Sequence, residues 1–321
     1  MEGPTMRERY DVVIIGGGPA GLTAGTYASR AGLTVIIVEK QTLGGQVINA
    51  EVIENYPGFP LGISGFELAE RMRSQAATFG AEITTDEIAA IEDDPGTGYK
   101  TVLTGSGQRI AALAVVIATG ASWRKLGIPG EDRLWGKGVS TCATCDAALY
   151  RDKHVVVVGG GDTAIHESLF LARFVNKITL VHRRDRLRAT KILQDRISKL
   201  GQKVEFRWNS VVTEIAGTDH VTGVTVKSEQ TGATELLGCD GVFVLVGFDP
   251  NSGFVRGYLA ADEAGYIITD EGMATSVDGV FACGDVRRRP FRQIVTACGE
   301  GAVAAFAAQH YVEEKKGTAY R

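Results

Sequence analysis

Two glycine-rich segments limit the fold of this chain more than any other feature. They occupy equivalent positions in two similar stretches of the sequence. Gly16–Gly21 has the pattern G-x-G-x-x-G, and Gly159–Ala164 has the variant G-x-G-x-x-A. Each follows a short apolar run rich in β-branched residues, typical of a buried parallel strand, and each precedes a helical segment. Strand, glycine turn and helix in this order predict two dinucleotide-binding units, in which a pyrophosphate lies against the helix N-terminus.

The residues after the next strand distinguish the two units. In the first unit the strand over 34–38 ends at Glu39, where a carboxylate is placed to accept from a ribose hydroxyl. In the second unit the strand over 177–181 ends in the basic segment His182–Arg188. Arginines in place of the acid remove repulsion against a 2′-phosphate and supply bidentate donors for it. The second unit is therefore predicted to bind NADPH rather than NADH, with a solvated basic loop as the alternative.

The remaining segments indicate how the domains are arranged. With 321 residues the chain is long enough for two domains of ordinary size. Buried strands predicted over 114–118 and 241–247 close the two units, and the segment after 251 has no glycine fingerprint of its own. We expect that last segment to complete the first domain. The predicted fold class is α/β, with two Rossmann-like dinucleotide-binding domains, one inserted into the other: residues 1–120 and 248–321 form the outer domain, and 121–247 the inserted one.

Apolar spacing predicts the main helices and their buried faces. Helices are expected from Leu22 to Arg30, over 65–79, up to Phe174, and from Ala297 to Tyr311. The second of these is expected to turn five side chains toward a core: Phe66, Leu68, Ala69, Met72 and Ala76. Residues 1–8 are expected to form a loose tail.

The segment Cys142–Asp146 contains a C-x-x-C pair followed directly by an acid and lies between the two fingerprints. A zinc site would need two more ligands, whereas Cys239, Cys283 and Cys298 are isolated and no histidine pair has ligand spacing. A structural disulfide is disfavoured because the loop it would close is too short to restrict the unfolded chain. The pair is therefore predicted to be redox-active. Asp146 is predicted to supply or relay a proton, with an N-capping or solubilising aspartate as the alternative.

Composition narrows the class of protein. The net charge of −4 gives no global attraction to nucleic acid or to an anionic membrane. The basic run Arg287–Arg289 is interpreted as a solvated loop rather than as a polyanion site. No apolar run approaches the roughly 20 residues that span a bilayer, and the N-terminus does not resemble a signal peptide. Five cysteines, an odd count, argue against a secreted disulfide framework, so a cytoplasmic protein is expected.

Two dinucleotide-binding units with a C-x-x-C pair between their fingerprints describe a flavin-dependent disulfide reductase. The sequence resembles the bacterial low-molecular-weight thioredoxin reductases, and the resemblance covers nearly the whole chain. The segments that carry it are Gly16–Gly21, Gly44–Gln46, Glu54–Asn55, Ala118–Gly120, Cys142–Asp146, Gly159–Ala164, His182–Arg188, Gly284–Val286 and Arg292–Gln293.

The resemblance implies that the outer domain binds FAD and the inserted domain binds NADPH. The FAD residues that it implies are Gly16, Gly18, Pro19, Ala20, Gly21, Glu39, Lys40, Gly44, Gly45, Gln46, Asn55, Ala118, Thr119, Gly120, Gly284, Asp285, Arg292 and Gln293. Among these, Asp285 would contact the ribityl chain, and Arg292 and Gln293 would lie along the flavin ring. The NADPH residues that it implies are Gly159, Gly161, Asp162, Thr163, Ala164, His182, Arg183, Arg184 and Arg188.

The resemblance also implies an activity and partners. It predicts a cytoplasmic homodimer that passes electrons from NADPH through FAD and the Cys142–Cys145 disulfide to thioredoxin or a similar small redox protein. Cys145 would be the sulfur nearest the flavin. Because nicotinamide and disulfide cannot both occupy the same place against the flavin, the inserted domain is expected to swing about Gly120–Trp123 and Gly247–Asn251.

Three features depart from the family's pattern. His166 stands where the family usually has an acid, Ala147 where it has a glycine, and Ala148–Leu149 where it has aromatic residues. We expect His166 to be an exposed histidine early in its helix. The other two departures bear on the surface that would dock a protein partner.

Other functions of this fold are alternatives for the same residues. A thiol oxidase of this fold would not need the arginine-rich phosphate site. A flavin reductase serving a ferredoxin or a small acceptor would not need Cys142 and Cys145. A nucleotide-sensing binding protein without turnover would not need the intact C-x-x-C-Asp segment.

Overall fold

The computed structural model describes residues 9–50, 52–94 and 96–319, and the side chains of Thr144 and Cys145 lie outside what it describes. The predicted loose tail, residues 1–8, also lies outside the described residues. Trp123–Phe248 form one compact unit, and the residues on either side of that segment form the other. Each unit contains a parallel sheet with helices, so the predicted α/β class is confirmed.

The elements of the first unit begin with β1 (Arg9–Ile15), α1 (Pro19–Arg30), β2 (Val35–Glu39), α2 (Gly65–Thr78), β3 (Glu82–Thr85), β4 (Ile88–Asp93), β5 (Lys100–Thr104), β6 (Arg109–Ile117) and β7 (Ala121–Trp123). The second unit contains β8 (Val139–Ser140), α3 (Ala143–Asp146), β9 (His154–Val158), α4 (Asp162–Leu171), β10 (Lys177–Val181), α5 (Lys191–Ser198), β11 (Val204–Arg207), β12 (Ser210–Gly217), β13 (Val221–Ser228), β14 (Thr234–Gly238) and β15 (Gly241–Val244). The chain returns through β16 (Phe248–Pro250) to β17 (Val280–Ala282) and α6 (Ile294–Lys316). None of the described helices is both long enough and apolar enough to cross a bilayer.

The sheet of the first unit carries β3, β2, β1 and β6 side by side in parallel. The start of β6 pairs with the antiparallel β5, and its end pairs with the parallel β17. The last segment of the chain therefore lies in the first unit. One face of the sheet is covered by α1 and α6, and the other packs against the segment that contains Val255, Leu259 and Ile267. Because both faces are buried, β1 is apolar at nearly every position rather than at alternate ones.

The second unit repeats this plan on a smaller sheet. The strands β11, β10, β9, β15 and β8 are all parallel. A separate antiparallel sheet of β12, β13 and β14 packs its valines against the same core. In both units the glycine loop follows the central strand, so each predicted ligand site lies at the carboxyl edge of a parallel sheet.

Several helix predictions need correction. The helix predicted to reach Phe174 ends at Leu171, and the last helix runs from Ile294 to Lys316, well beyond the predicted bounds. Phe66 is 63% exposed and does not face the core. It follows the buried Gly65 by one residue, so helical geometry turns it about 100° away from the buried stripe of α2.

The chain crosses between the units twice. Within each unit the two crossing segments are hydrogen-bonded to each other. In the first unit Asn251 Nδ2 donates to the Thr119 carbonyl at 2.9 Å, and Thr119 Oγ1 donates to the Asn251 carbonyl at 2.8 Å. In the second unit the Arg124 N–H donates to the Gly247 carbonyl at 2.9 Å. Gly120 and Gly247 have φ of +65° and +124°, which are conformations that favour glycine.

Candidate functional site

The first glycine loop joins β1 to α1, and its glycines are required for different reasons. A Cβ at Gly16 would lie 2.4 Å from the Ala118 carbonyl oxygen, and a Cβ at Gly21 would lie 1.9 Å from the Gly16 carbonyl oxygen. Close backbone packing therefore requires these two glycines. A Cβ at Gly18 would meet no atom within 4 Å. The middle glycine thus borders open space at the N-terminus of α1, where backbone N–H groups favour an anion.

Glu39 ends β2, and its carboxylate faces this loop. Its Oε2 accepts from the Gly17 N–H at 2.6 Å, and its Oε1 accepts from the Gln41 N–H at 2.9 Å. The residue predicted to bind a ribose therefore lies beside the loop predicted to bind a pyrophosphate. Lys40 is directed elsewhere, because its Nζ forms an exposed ion pair with Glu87 at 2.6 Å.

Distant parts of the sequence meet the first loop. The Gly44 N–H donates to the Gly17 carbonyl at 2.8 Å. A Cβ at Gly284 would lie 2.9 Å from the Ala20 Cβ, so the segment after β17 touches the start of α1. The predicted FAD segments that start at 16, 44, 118 and 284 are therefore brought together at one edge of the sheet.

Two predicted residues that are far apart in sequence are hydrogen-bonded to each other. Asn55 Nδ2 donates to Gln293 Oε1 at 2.8 Å. Gln46 Nε2 donates to the carbonyl oxygen of Ala121 at 3.3 Å. These contacts place the loop after β2 next to the start of α6, where the resemblance implies the flavin ring.

Asp285 and Arg292 carry buried polar atoms without hydrogen-bond partners among the described residues. The atoms are Asp285 Oδ1 and Arg292 Nε. Burial raises the pKa of Asp285 above its ordinary value, and the positive charges of Arg289 and Arg292 oppose that rise. The Arg292 guanidinium lies 4.2 Å from the centre of the Tyr266 ring. Asp285 Oδ1 forms an ion pair with Arg289 Nη1 at 3.5 Å but no hydrogen bond, so this oxygen and Arg292 Nε keep hydrogen-bonding capacity that a polar ligand can use.

Glu300 on α6 organises the loop that carries Asp285. Its carboxylate accepts from the Gly284 N–H at 2.8 Å and pairs with Arg287 at 2.7 Å and Arg289 at 3.2 Å. The side chains of Arg287 and Arg289 are only 13% and 2% exposed. The interpretation of this run as a solvated loop is therefore wrong for two of its three arginines, which are folded inward by the buried carboxylate.

These features of the first unit fit a flavin dinucleotide. Gly18 leaves room for a pyrophosphate, Glu39 adds a carboxylate beside that room, and Asp285 and Arg292 offer unsatisfied polar groups to a buried ligand. Each of these groups matches a part of FAD in charge or in hydrogen-bonding character.

The second glycine loop, between β9 and α4, has the same arrangement as the first. A Cβ at Gly159 would lie 2.3 Å from the Leu245 carbonyl oxygen, whereas a Cβ at Gly161 would meet nothing within 4 Å. A Cβ at Gly160 would lie 2.5 Å from the ring of His182. This loop therefore also leaves open space at a helix N-terminus, which fits the pyrophosphate of a second dinucleotide.

The basic segment after β10 folds back onto this loop. The Arg188 N–H donates to the Gly160 carbonyl at 2.7 Å, and the Thr190 N–H donates to Asp162 Oδ1 at 2.5 Å. Within the described part of the chain the predicted arginines form no ion pair, and all three are exposed: Arg183, Arg184 and Arg188. Exposed guanidinium groups beside an open glycine loop fit a 2′-phosphate.

His182 is buried next to the arginines rather than presented to a ligand. Burial lowers the pKa of His182, and the positive charges of the neighbouring arginines act in the same direction. Its ring meets the Trp208 ring edge-on, with centroids 6.3 Å apart, and its Nε2 has no hydrogen-bond partner among the described residues. His182 therefore shapes the loop, because its ring fills the space beside Gly160, and its role in NADPH binding stays a prediction.

Cys142 lies half-buried just before α3 and is disulfide-bonded. The three isolated cysteines are free and buried: Cys239, Cys283 and Cys298. The side chain of Cys145 lies outside the described residues. A disulfide at Cys142 fits the predicted redox role of the C-x-x-C segment.

The short helix α3 is held at its start by two side chains. The Cys142 N–H donates to Ser140 Oγ at 3.0 Å, and the Ala143 N–H donates to a Glu167 carboxylate oxygen at 2.5 Å. Asp146 ends α3, and its carboxylate makes no capping hydrogen bond to the turn that follows. Helix capping therefore does not account for Asp146.

The three departures from the family's pattern lie in different environments. His166 is exposed on α4, as expected. Ala147 is buried, and Leu149 is 69% exposed. The surface next to the cysteine segment thus presents an aliphatic side chain.

Three residues at these sites were not predicted from the sequence: Glu300, Glu167 and Trp208. Glu300 had a usable signal, because it is the first acid of α6 and stands among small residues of a helix that packs on a sheet. Glu167 directly follows His166 and attracted no separate interpretation. Trp208 had no signal, because only the pairing of β10 with β11 brings it beside His182.

Comparison with known families identifies residues 10–301 as a match to the pyridine nucleotide-disulphide oxidoreductase family. The chain is 48% identical over 308 residues to thioredoxin reductase of Listeria monocytogenes, covering 96% of this chain and 95% of the relative. It is 47% identical over 310 residues to thioredoxin reductase of Bacillus subtilis, covering 96% of each.

A solved structure agrees with these relatives. The crystal structure of thioredoxin reductase from Lactococcus lactis, in the conformation labelled FR, has a TM-score of 0.91 at 44% identity and covers 95% of this chain and 99% of its own.

Proposed function

The chain belongs to the thioredoxin reductase family of pyridine nucleotide-disulphide oxidoreductases, and from that premise we propose that it reduces the disulfide of thioredoxin or of a similar small redox protein with electrons from NADPH. The observation that carries the proposal is the disulfide at Cys142, in the unit that also bears the second glycine loop. A chain with both features can bind an electron donor, NADPH, and carries a disulfide that can accept the electrons.

FAD and NADPH are the cofactors of this family, and when bound they supply hydride transfer and two-electron exchange. We assign FAD to the first unit, held by the groups around Gly18, Glu39, Asp285 and Arg292. We assign NADPH to the second unit, where Gly161 borders the space for the pyrophosphate and the exposed arginines bind the 2′-phosphate. The full set of proposed residues is the one implied by the resemblance, without Lys40, whose side chain pairs with Glu87. Within this set His182 acts by shaping the loop, because its buried ring fills the space beside Gly160.

The cysteines carry the chemistry toward the partner. Reduction of the Cys142–Cys145 disulfide takes two electrons and two protons and breaks the S–S bond to give a dithiol. A thiolate of that pair then attacks the partner's disulfide and forms a mixed disulfide, which the second thiol resolves. The partner leaves as a dithiol, and the S–S bond of this chain is restored.

Asp146 is proposed to handle a proton in this sequence. A hydride brings two electrons but one proton, so the dithiol needs a second proton from elsewhere. Asp146 follows the pair directly, and its carboxylate is not used as a cap. In Asp146→Asn the dithiol step should slow in stopped-flow traces while the flavin is reduced at the normal rate; two unchanged phases would remove Asp146 from the mechanism.

A rotation of the second unit is proposed to present the nicotinamide and the disulfide in turn. Gly120 and Gly247, at the two crossings, adopt left-handed backbone conformations, which suits short connecting segments. A cross-link that fixes the units should stop turnover at one half-reaction. Native turnover by a cross-linked enzyme would exclude the rotation.

We further propose that the protein is a cytoplasmic homodimer. On α6 the side chains of Val295, Val303 and Phe306 are at least 39% exposed, and their spacings place them on one side of the helix, which supports self-association through the first unit. A dithiol enzyme also needs a reducing compartment. Sedimentation at micromolar concentration should give twice the chain mass of 34.2 kDa, and a stable monomer would contradict the dimer.

Loss of one cysteine tests the proposed function. Cys145→Ser should abolish thioredoxin reduction while NADPH still reduces the flavin, because only exchange with the partner needs both sulfurs. Cys239→Ala is the matched control, since Cys239 is a free, buried cysteine of the same unit. Normal thioredoxin turnover by Cys145→Ser would exclude the pair from the reaction.

A further inference from the structure

The start of the cysteine helix is fixed by a residue of the neighbouring helix. Glu167 lies on α4, the helix that begins at the second glycine loop, and its carboxylate accepts the Ala143 N–H at 2.5 Å. The preceding N–H, that of Cys142, is accepted by Ser140 Oγ at 3.0 Å. Two consecutive N–H groups around Cys142 are therefore held by side-chain oxygens.

The N–H groups at the start of a helix matter to a cysteine there because they can stabilise its thiolate. A thiolate at a helix N-terminus is stabilised by the free N–H groups of the first turn and by the helix dipole, which lowers the thiol pKa. The two N–H groups that flank Cys142, its own and that of Ala143, are both bound by side-chain oxygens. One of the acceptors is moreover a carboxylate, and a negative charge next to a thiol disfavours the thiolate.

We propose that Glu167 is a positioning residue for the redox pair, which fixes the first peptide of α3 and disfavours a thiolate at Cys142. This inference rests on the proposed function, in that Cys142 and Cys145 are taken as the exchanging pair. At rest the reduced pair is then a protonated dithiol, and the thiolate that attacks the partner forms only during exchange.

The same contact sets how strongly the pair reduces its partner. Reduction of the disulfide consumes two electrons and two protons, and a reduced form that is stabilised as a thiolate makes a pair more oxidising. By withholding that stabilisation, Glu167 makes this pair a stronger reductant. A pair that must deliver electrons to a partner's disulfide benefits from that bias.

Other titratable groups on the elements packed against α3 are Asp146 on α3 itself, Asp162 and His166 on α4, and Tyr150 in the turn that follows. Asp162 accepts the Thr190 N–H, so its carboxylate is directed to the basic segment. His166 is exposed. Tyr150 has a pKa raised first by burial and then by the charge of Asp146, and it is neutral at physiological pH. Among these, Glu167 is the group in contact with the first residue of α3.

The experiment measures the pKa of Cys142 in the full-length holoenzyme. In a Cys145→Ser background, the rate of alkylation by iodoacetamide is followed against pH, with and without Glu167→Gln. Glutamine keeps an acceptor for the Ala143 N–H but removes the charge, so the helix start is retained. Cys239, Cys283 and Cys298 are buried and are expected to react slowly.

Removing the charge should lower the pKa of Cys142 by on the order of one pH unit. His166→Gln, an exposed change on the adjoining residue, is the control and should leave the pKa unchanged. An unchanged or higher pKa in Glu167→Gln would overturn the proposal, as would an equal shift in His166→Gln.

The reduction potential gives a second readout that a purely structural role would not move. With both cysteines present, Glu167→Gln should shift the equilibrium of the pair with a reference dithiol up to about tenfold toward the dithiol form of this chain, or about 30 mV. No shift, or a shift toward the disulfide, would contradict the proposal. If the pKa and the potential move as expected but thioredoxin is not a substrate, the proposed function fails and the role of Glu167 stands.

Discussion

The two glycine loops have nearly the same backbone but different surroundings. In both, the first glycine is pressed against a carbonyl oxygen, at 2.4 Å for Gly16 and 2.3 Å for Gly159, measured from an added Cβ. In both, the third position of the loop, Gly18 or Gly161, borders open space. The second position differs. The Gly17 N–H binds a carboxylate, whereas Gly160 makes room for an imidazole ring.

The shape of the loop and the choice of ligand therefore depend on different residues. The glycines are required by backbone packing and by the space for a pyrophosphate, which any dinucleotide carries. The choice between ligands lies in the residues after the second strand of each unit. A carboxylate that binds its own loop, at Glu39, suits a ribose with a free hydroxyl, while a buried histidine followed by exposed arginines suits a phosphate.

The largest expected effect is on stability, when a glycine packed against backbone is replaced rather than one that borders open space. In Gly21→Ala the new Cβ would lie 1.9 Å from a backbone oxygen, and such overpacking is expected to cost about 3 kcal/mol or more. In Gly18→Ala the residue keeps an allowed φ of −75° and meets no atom, so stability should change by less than about 0.5 kcal/mol. Urea unfolding of the flavin-free protein measures both.

Ligand binding completes this comparison. Gly18→Ala should weaken FAD and leave NADPH unchanged, and Gly161→Ala, with φ of −92°, should do the reverse. Titrations followed by flavin fluorescence and by NADP⁺ binding distinguish the two. Loss of both ligands in either variant would show that the two loops are not independent sites.

The next largest effect concerns the arginines of the second unit. Arg183→Ala should weaken NADPH binding by roughly 1.5–3 kcal/mol, the range for a hydrogen bond to a charged group, and leave NADH nearly unaffected. Arg186→Ala is the matched control, because Arg186 is an exposed arginine of the same segment outside the predicted set. Equal losses for NADPH and NADH would remove Arg183 from the phosphate site.

The smallest effect is a pH dependence carried by the second unit. Burial lowers the pKa of His154 and of His182, so the unfolded chain binds more protons than the folded one just below the unfolded pKa of about 6.5. Stability is therefore full above that value and is lost as the pH falls below it, by at most about 1.4 kcal/mol per pH unit for each histidine. The lowered pKa of Asp11, in the first unit, acts only below its unfolded value of 3.8.

A histidine variant tests this expectation. Between pH 7.5 and pH 5.5, His182→Asn should lose less unfolding free energy than the unmodified protein. His310→Asn, an exposed change in the first unit, should lose as much as the unmodified protein. A steeper loss in His182→Asn would contradict a buried, neutral histidine.

The sequence predicted the loops well because glycine spacing and strand patterns are local. Both fingerprints, the strand ends and the disulfide at Cys142 follow from residues close together in the chain. The contact of Asn55 with Gln293 and the burial of Arg289 by Glu300 were not predicted, because they join segments that only the folded sheet brings together. The prediction that Phe66 faces the core is wrong because an apolar side chain does not by itself fix the side of a helix on which it lies.

The most direct test of the account is the route of electrons from NADPH. The purified flavoprotein is given NADPH in air, with and without oxidised thioredoxin, and NADPH consumption and thioredoxin thiols are measured together. The account predicts slow consumption without thioredoxin, fast consumption with it, and one dithiol formed for each NADPH. Equally fast consumption without thioredoxin, with oxygen as the acceptor and no thiols formed, would contradict it.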